Sequence, residues 1–103
     1  MNFDVDWRHG ARHMWAKHRA TVQQANEALA DDGLVIADPD PKSTSGVSAR
    51  VLGYSPAAGA VLVVILVHRT DRPSAWWGAN GWRANPTDTR TYAEHQDEGT
   101  SND

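Results

Sequence analysis

Two histidines and a set of basic side chains supply most of the chemistry available to this sequence. An imidazole such as that of His18 or His68 can give or take a proton near neutral pH. Arginine binds phosphate oxygens through paired hydrogen bonds, and a tyrosine can stack on a ligand or donate a hydrogen bond. The candidates for such roles are Lys17, His18, His68, Arg69, Arg83, Arg90 and Tyr92. These types suit proton transfer beside a bound anion, if the fold brings them together.

Other common kinds of site have little support. His9 and His13 have the i, i+4 spacing of two metal ligands on a helix, but no third ligand lies nearby. The chain contains no cysteine, which excludes disulfides and thiolate metal sites. It also lacks a glycine-rich phosphate loop and a Gly-x-Ser-x-Gly elbow. We therefore expect no metal and no cofactor, and we expect a cytoplasmic protein because no signal or membrane segment is evident.

The charge is unevenly distributed along the chain. The formal net charge is −3, with acids concentrated in residues 31–40 and after residue 95. Candidates for one positive surface are the basic residues Arg8, Arg12, Lys17, Arg19, Arg69, Arg72, Arg83 and Arg90. A fold that gathers them would form one positive surface, whereas scattered surface charge is the simpler alternative.

The run AVLVVILV at residues 60–67 predicts a central strand. It is apolar at both odd and even positions, so both faces of its sheet must be covered. Alternating apolar residues or flanking turns predict further strands at residues 3–7, 34–37, 47–54 and 75–82.

Helices are predicted near both ends of the chain. Apolar residues at helical spacing between Trp7 and His18 indicate the first helix. A capping box from Thr21 to Gln24 begins the second, and Pro86 begins a third that reaches about His95. The pattern predicts one α+β domain at residues 1–96 and a disordered acidic tail at 97–103. The domain would have two layers, with two N-terminal helices, one C-terminal helix and an antiparallel sheet of about four strands plus a short N-terminal strand.

The strand at residues 75–82 has tryptophan on both faces. A period of two places Trp76 and Trp82 on one face, and Trp77 and Arg83 on the other. Core filling is the simpler explanation of this composition, and the alternative is an exposed contact for a protein partner or a base-stacking surface. Trp76, Trp77 and Trp82 are therefore candidate partner-binding residues.

Several of these segments resemble the BrnT family of type II toxins. Residues 17–25, KHRATVQQA, are similar without a gap to the family segment Lys-His-Gly-Val-Ser-Phe-Glu-Glu-Ala. Further matches in family order are Trp7, Asp38-Pro39, Arg50-x-x-Gly53, His68, Trp82-x-Ala84, Asp88, Arg90 and Tyr92. The resemblance extends over about residues 3–95.

The resemblance implies a RelE/ParE-like fold and a small RNA-cleaving toxin. A cognate antitoxin would hold it inactive, and promoter DNA would be bound only through the antitoxin complex, with no role for a membrane. Metal-free RNA cleavage needs a base for the 2′-hydroxyl, cations for the phosphate and an acid for the leaving oxygen. His18 or His68 fits proton transfer. Phosphate binding would fall to Lys17, Arg83 and Arg90, with Tyr92 orienting the substrate.

Two departures from the family pattern keep other functions open. Trp82 stands at the family's strand-end arginine, and Arg83, one position later, faces the other way unless a bulge re-aims it. Thr89 splits the family's adjacent acid–arginine pair. One alternative is a non-catalytic module with the toxin fold that binds protein or nucleic acid, and another is a domain that self-associates through its apolar sheet.

Overall fold

The structure, a computed structural model, describes residues 3–100, with side chains described up to residue 96. Its elements are β1 (Asp4–Asp6), α1 (Ala11–His18), α2 (Val22–Leu29), β2 (Val35–Ala37), β3 (Ser48–Ser55), β4 (Ala60–His68), β5 (Ala75–Arg83) and α3 (Pro86–Thr100). The α+β class is confirmed. Within the described range, no helix is long and apolar enough to cross a membrane.

The strands form one sheet in the order β1-β5-β4-β3-β2, with the apolar strand β4 at its centre. The pairs β2–β3, β3–β4 and β4–β5 are antiparallel, as predicted. β1 differs, because it pairs with β5 in parallel. The short-turn argument applies to consecutive strands only, and β1 reaches the sheet edge from a distant part of the chain.

The two faces of β4 bury different partners. Leu62, Val64 and Leu66 pack under the helical layer that α1 and α2 form. Val61 and Val63 belong to a smaller cluster on the other face, where α3 contacts β3 and β4. The predicted two-layer arrangement is therefore wrong in the placement of α3, because a strand apolar at both parities needs cover on both sides.

A β-bulge in β5 decides which residues share a face. The register shifts between Ile65 and Leu66, so that Asn80 lies opposite the former and Gly78 opposite the latter. Gly78 and Gly81 then both lie under the helices, where a Cβ would come within 2.3 Å of the Trp7 ring and 2.9 Å of the Met14 sulfur, respectively. The simple period of two is wrong beyond the bulge, because the extra residue reverses the alternation.

The helix ends follow the sequence signals closely. Thr21 Oγ1 accepts from Gln24 N and the Gln24 side chain accepts from Thr21 N, both at 3.1 Å, which confirms the capping box. α3 continues past its predicted end near His95 to Thr100. Gln96 Nε2 holds this part of the helix by donating to Gly33 O at 2.6 Å. Residues 101–103 of the predicted tail lie outside the described residues.

Candidate functional site

A cleft opens where α1 and β5 end side by side. His18, the last residue of α1, lines it together with Trp82 and Arg83, the last two residues of β5, and its volume is ≈ 400 Å³. The His18 and Trp82 ring centroids are 5.5 Å apart, with their planes inclined at 45°. A smaller recess of ≈ 140 Å³ shares two of these residues and is lined by His18, Arg19, Ala20, Gln24, Ala58, Leu62 and Arg83.

The local structure explains why these three side chains meet. His18 follows Met14 by four residues, so it lies on the row of α1 that faces β5. After the bulge, Arg83 lies opposite Leu62 on the side of the sheet that α1 and α2 cover. Trp82 lies opposite Val63 on the other side. The cleft therefore crosses the edge of β5, with a cation on one side and an indole on the other.

The charge around the cleft is positive. Arg83 Nη2 donates to Ala58 O at 3.2 Å, and Arg19 lines the recess next to it. Lys17 is exposed in the last turn of α1. Within residues 3–96, none of these three cations has a carboxylate at ion-pair distance. Among the side chains of residues 3–96, no carboxylate lines the cleft or the recess either, so their positive charge is available to an anionic ligand.

His68 lies at the opposite end of the sheet. It pairs with Trp76, whereas Leu62, near the other end of the same strand, pairs with Arg83. That separation along β4 is about 20 Å. The His68 ring lies 4.0 Å from that of Trp76, and its Nε2 is 3.0 Å from both carboxylate oxygens of Asp38. His68 therefore cannot act on a phosphate held by Arg83.

The other two predicted catalytic residues also lie outside the cleft. Tyr92 donates a hydrogen bond to Asp31 Oδ2 at 2.5 Å, and burial together with this bond raises the pKa of Tyr92 to about 12. Arg90 is exposed, about 200° around α3 from Tyr92, and lines neither the cleft nor the recess. The structure thus brings together His18 and Arg83 with Lys17 nearby, and it separates them from His68, Arg90 and Tyr92.

The three candidate tryptophans have different surroundings. Trp76 packs against the core and lies 6.2 Å from Phe3. Trp77 lies 4.0 Å below the guanidinium carbon of Arg69 and 4.9 Å from the ring of His9. Of the three, only Trp82 lines the cleft.

Two contacts of Arg50 beside the cleft were not predicted. Arg50 on β3 forms an ion pair with Asp88 of α3 at 2.9 Å, and both side chains are largely buried. The Arg50 guanidinium carbon also lies 5.6 Å from the Trp82 ring. This pair crosses from β3 to α3 and depends on the placement of α3 over that face, which sequence spacing does not reveal.

Comparisons with known proteins leave the cleft without an assigned function. No family model matches the chain, and no curated protein shows significant similarity to it. Within the described residues, no group of three or more histidine and acidic side chains is arranged to hold a metal ion. The geometry and charge of the cleft are the basis for a functional proposal.

Proposed function

We propose that this protein is the toxin of a type II toxin–antitoxin system and that it cleaves RNA, without a metal ion, in the cleft between α1 and β5. One observation supports this proposal above all. His18 and Arg83, which are far apart in sequence, line the same cleft and recess, and no carboxylate of the described residues lines either of them. A titratable imidazole beside unpaired cations is the combination that phosphodiester cleavage requires.

The cleft residues divide the reaction between them. His18 removes the proton from the 2′-hydroxyl, which then attacks the adjacent phosphorus and displaces the 5′-oxygen of the next nucleotide. Arg83 and Arg19 bind the phosphate oxygens and stabilise the charge that builds up on them. The protonated imidazole returns its proton to the leaving oxygen, so the single histidine serves both steps. Trp82 forms the wall against which the nucleotide lies.

The arrangement of elements supports a RelE/ParE-like fold. Two N-terminal helices cover one face of the sheet, and a C-terminal helix lies on the other. The segment at residues 17–25 that resembles BrnT toxins spans the end of α1 and the capping box of α2, next to the cleft. A cognate antitoxin is the partner that this proposal requires, and contact with promoter DNA would occur through the antitoxin complex alone.

The proposal is tested by induced expression in a bacterial host. Wild type should arrest growth and degrade total RNA, while His18→Ala and Arg83→Ala should relieve both effects with the protein still accumulating. On purified RNA, the loss of the proton-transfer group should slow cleavage about 10²–10⁴-fold. Matched controls are His13→Ala on the same helix and Arg72→Ala at the far end of the sheet, and both should remain toxic. Intact RNA and normal growth with wild type would end the catalytic proposal.

A non-catalytic binding module is the second candidate. Trp82 occupies the position of the family's strand-end arginine, and among the described residues His18 is the only histidine that lines the cleft or the recess. Such a module binds RNA or a protein through the same cations but releases no cleavage product. Purified wild type that binds RNA and leaves it intact over hours would favour this function.

A further inference from the structure

The outer face of α1 is basic and contains no acid. Between Trp7 and Asn26 the chain has no aspartate or glutamate, although its net charge is −3. Arg12, Lys17 and Arg19 are exposed, and within residues 3–96 none of them forms an ion pair. The local field on this face is therefore positive, opposite in sign to the charge of the whole chain.

An exposed tryptophan lies among these cations. Trp15 is 49% exposed, whereas its neighbour Met14 is fully buried and makes the contact between the helix and the sheet. The guanidinium carbon of Arg19 lies 5.2 Å from the centre of the Trp15 ring. An indole held by an arginine on a convex surface is a platform on which an unpaired base can stack.

The backbone of Arg19 is in a conformation that favours glycine. Its φ of 56° and ψ of 24° are left-handed, and its N–H closes α1 by donating to Trp15 O at 2.9 Å. Glycine would adopt this conformation without the steric cost that a Cβ imposes. Arginine adds a charged side chain that contacts Trp15 and also lines the recess with His18 and Arg83. Arg19 therefore connects the outer face of α1 to the cleft.

We propose that Arg12, Trp15 and Arg19, together called the α1 ridge, bind single-stranded RNA that continues into the cleft. A base stacks on Trp15 while the two arginines contact neighbouring phosphates. Single strands fit because stacking requires an unpaired base. The identity of the ligand as RNA rests on the proposed function, whereas Arg12 and Trp15 themselves lie outside the cleft and the recess.

The α1 ridge is tested by binding of a labelled RNA that the protein cannot cleave. A 2′-O-methyl oligonucleotide of about a dozen residues lacks the attacking hydroxyl and is long enough to span the ridge. Fluorescence anisotropy over a series of salt concentrations gives both the Kd and the number of phosphate contacts, because each contact contributes about 0.7 to the slope of log K against log salt on a single strand.

Two substitutions should act differently in this measurement. Trp15→Ala should weaken binding about ten-fold or more with an unchanged salt slope, since it removes stacking but no charge. Arg19→Gly should reduce the slope by about 0.7. Its Tm should equal or exceed that of wild type, because glycine fits the left-handed backbone. The controls Tyr54→Ala and Lys42→Ala remove an exposed ring and an exposed cation elsewhere, and both should bind as wild type does.

The outcomes separate this inference from the ribonuclease proposal. If Trp15→Ala and Arg19→Gly bind the modified RNA within two-fold of wild type, the α1 ridge is not an RNA site and its charge serves another ligand, such as an acidic protein. If wild type binds through the ridge but leaves unmodified RNA intact, the ridge stands and the catalytic proposal fails. A wild type that does neither overturns both.

Discussion

β5 has a tryptophan beside an arginine and a histidine near each of its ends, and the two clusters differ in their acids. Near its start, Trp77 lies against Arg69 and His9, and Arg69 pairs with Asp71 at 2.7 Å and with Asp6 at 3.7 Å. At its end, Trp82 lies beside His18 and Arg83, and the part of the chain that the structure describes places no carboxylate in the cleft that they line.

Because the two clusters contain the same residue types but differ in their acids, residue type alone does not make a binding site. In the first cluster, the charges hold β1 and the β4–β5 turn together, because Arg69 and Arg72 form ion pairs with acids on β1. In the second cluster, Arg83 donates to the neutral acceptor Ala58 O and pairs with no acid within residues 3–96, so its charge remains available. The charges at one end of the strand are therefore neutralised within the fold, whereas those at the other end are free to attract a ligand.

The largest effect is expected when an acid is introduced into the recess beside Arg83. Ala58→Asp places a carboxylate in the recess next to Arg83, so the phosphate must compete with a fixed negative charge. We expect RNA to bind about ten-fold more weakly, which corresponds to about 1.4 kcal/mol. The measurement is the Kd for the uncleavable oligonucleotide. Ala58→Asn, which has the same shape without the charge, is the control, and equal losses in the two variants would contradict the electrostatic explanation.

A smaller effect, on stability alone, is expected at the other end of β5. Arg69→Ala removes the guanidinium that covers Trp77 and bridges Asp6 and Asp71, so the Tm should fall by several degrees. RNA binding and cleavage should be unchanged, because these charges are neutralised within the fold. Differential scanning fluorimetry measures the fall in Tm, and the RNA assay checks that binding and cleavage are unchanged. A loss of RNA binding at full stability would mean that this cluster is also a site.

The smallest effect concerns the response of the first cluster to acid. Hydrogen bonds from Arg8 hold the pKa of Asp6 below its ordinary value. A carboxyl whose pKa is lowered on folding stabilises the protein above its unfolded pKa of about 4, and this contribution disappears as the pH falls through the lower folded value. Asp6→Asn should therefore be less stable than wild type at pH 7, with the difference shrinking as the pH falls below about 4.

Urea denaturation at a series of pH values measures this convergence. The pH dependence of the other carboxylates is common to both proteins and cancels in the difference. A stability difference that stays constant down to pH 2 would show that the Asp6 charge has no part in it.

The sequence predicted the helices and strands better than it predicted how they pair and pack. The apolar run at residues 60–67 became the central strand, and the Thr21 capping box starts α2 as expected. These features depend on local spacing and on short-range hydrogen bonds. The parallel pairing of β1 and the position of α3 depend on distant parts of the chain, and both differ from the prediction.

The candidate site was only partly predictable for the same reason. His18 and Arg83 were named from their chemistry, and they share the cleft because α1 runs beside the second half of β5. His68 had equal chemical merit, but it lies at the far end of the sheet with Asp38. Tyr92 is held by Asp31, an acid whose position after α2 gave no hint of that contact.

Residue types showed which side chains could transfer a proton or bind a phosphate, and local spacing predicted most of the strands and helices. Which of these side chains meet depended on the tertiary structure. A single bulge in β5 turned Arg83 toward α1 and α2 and Trp82 away from them, because one extra residue reverses the alternation of a strand. The packing of α1 along that strand then placed His18 in the same cleft as both, and a local pattern cannot specify such a distant contact.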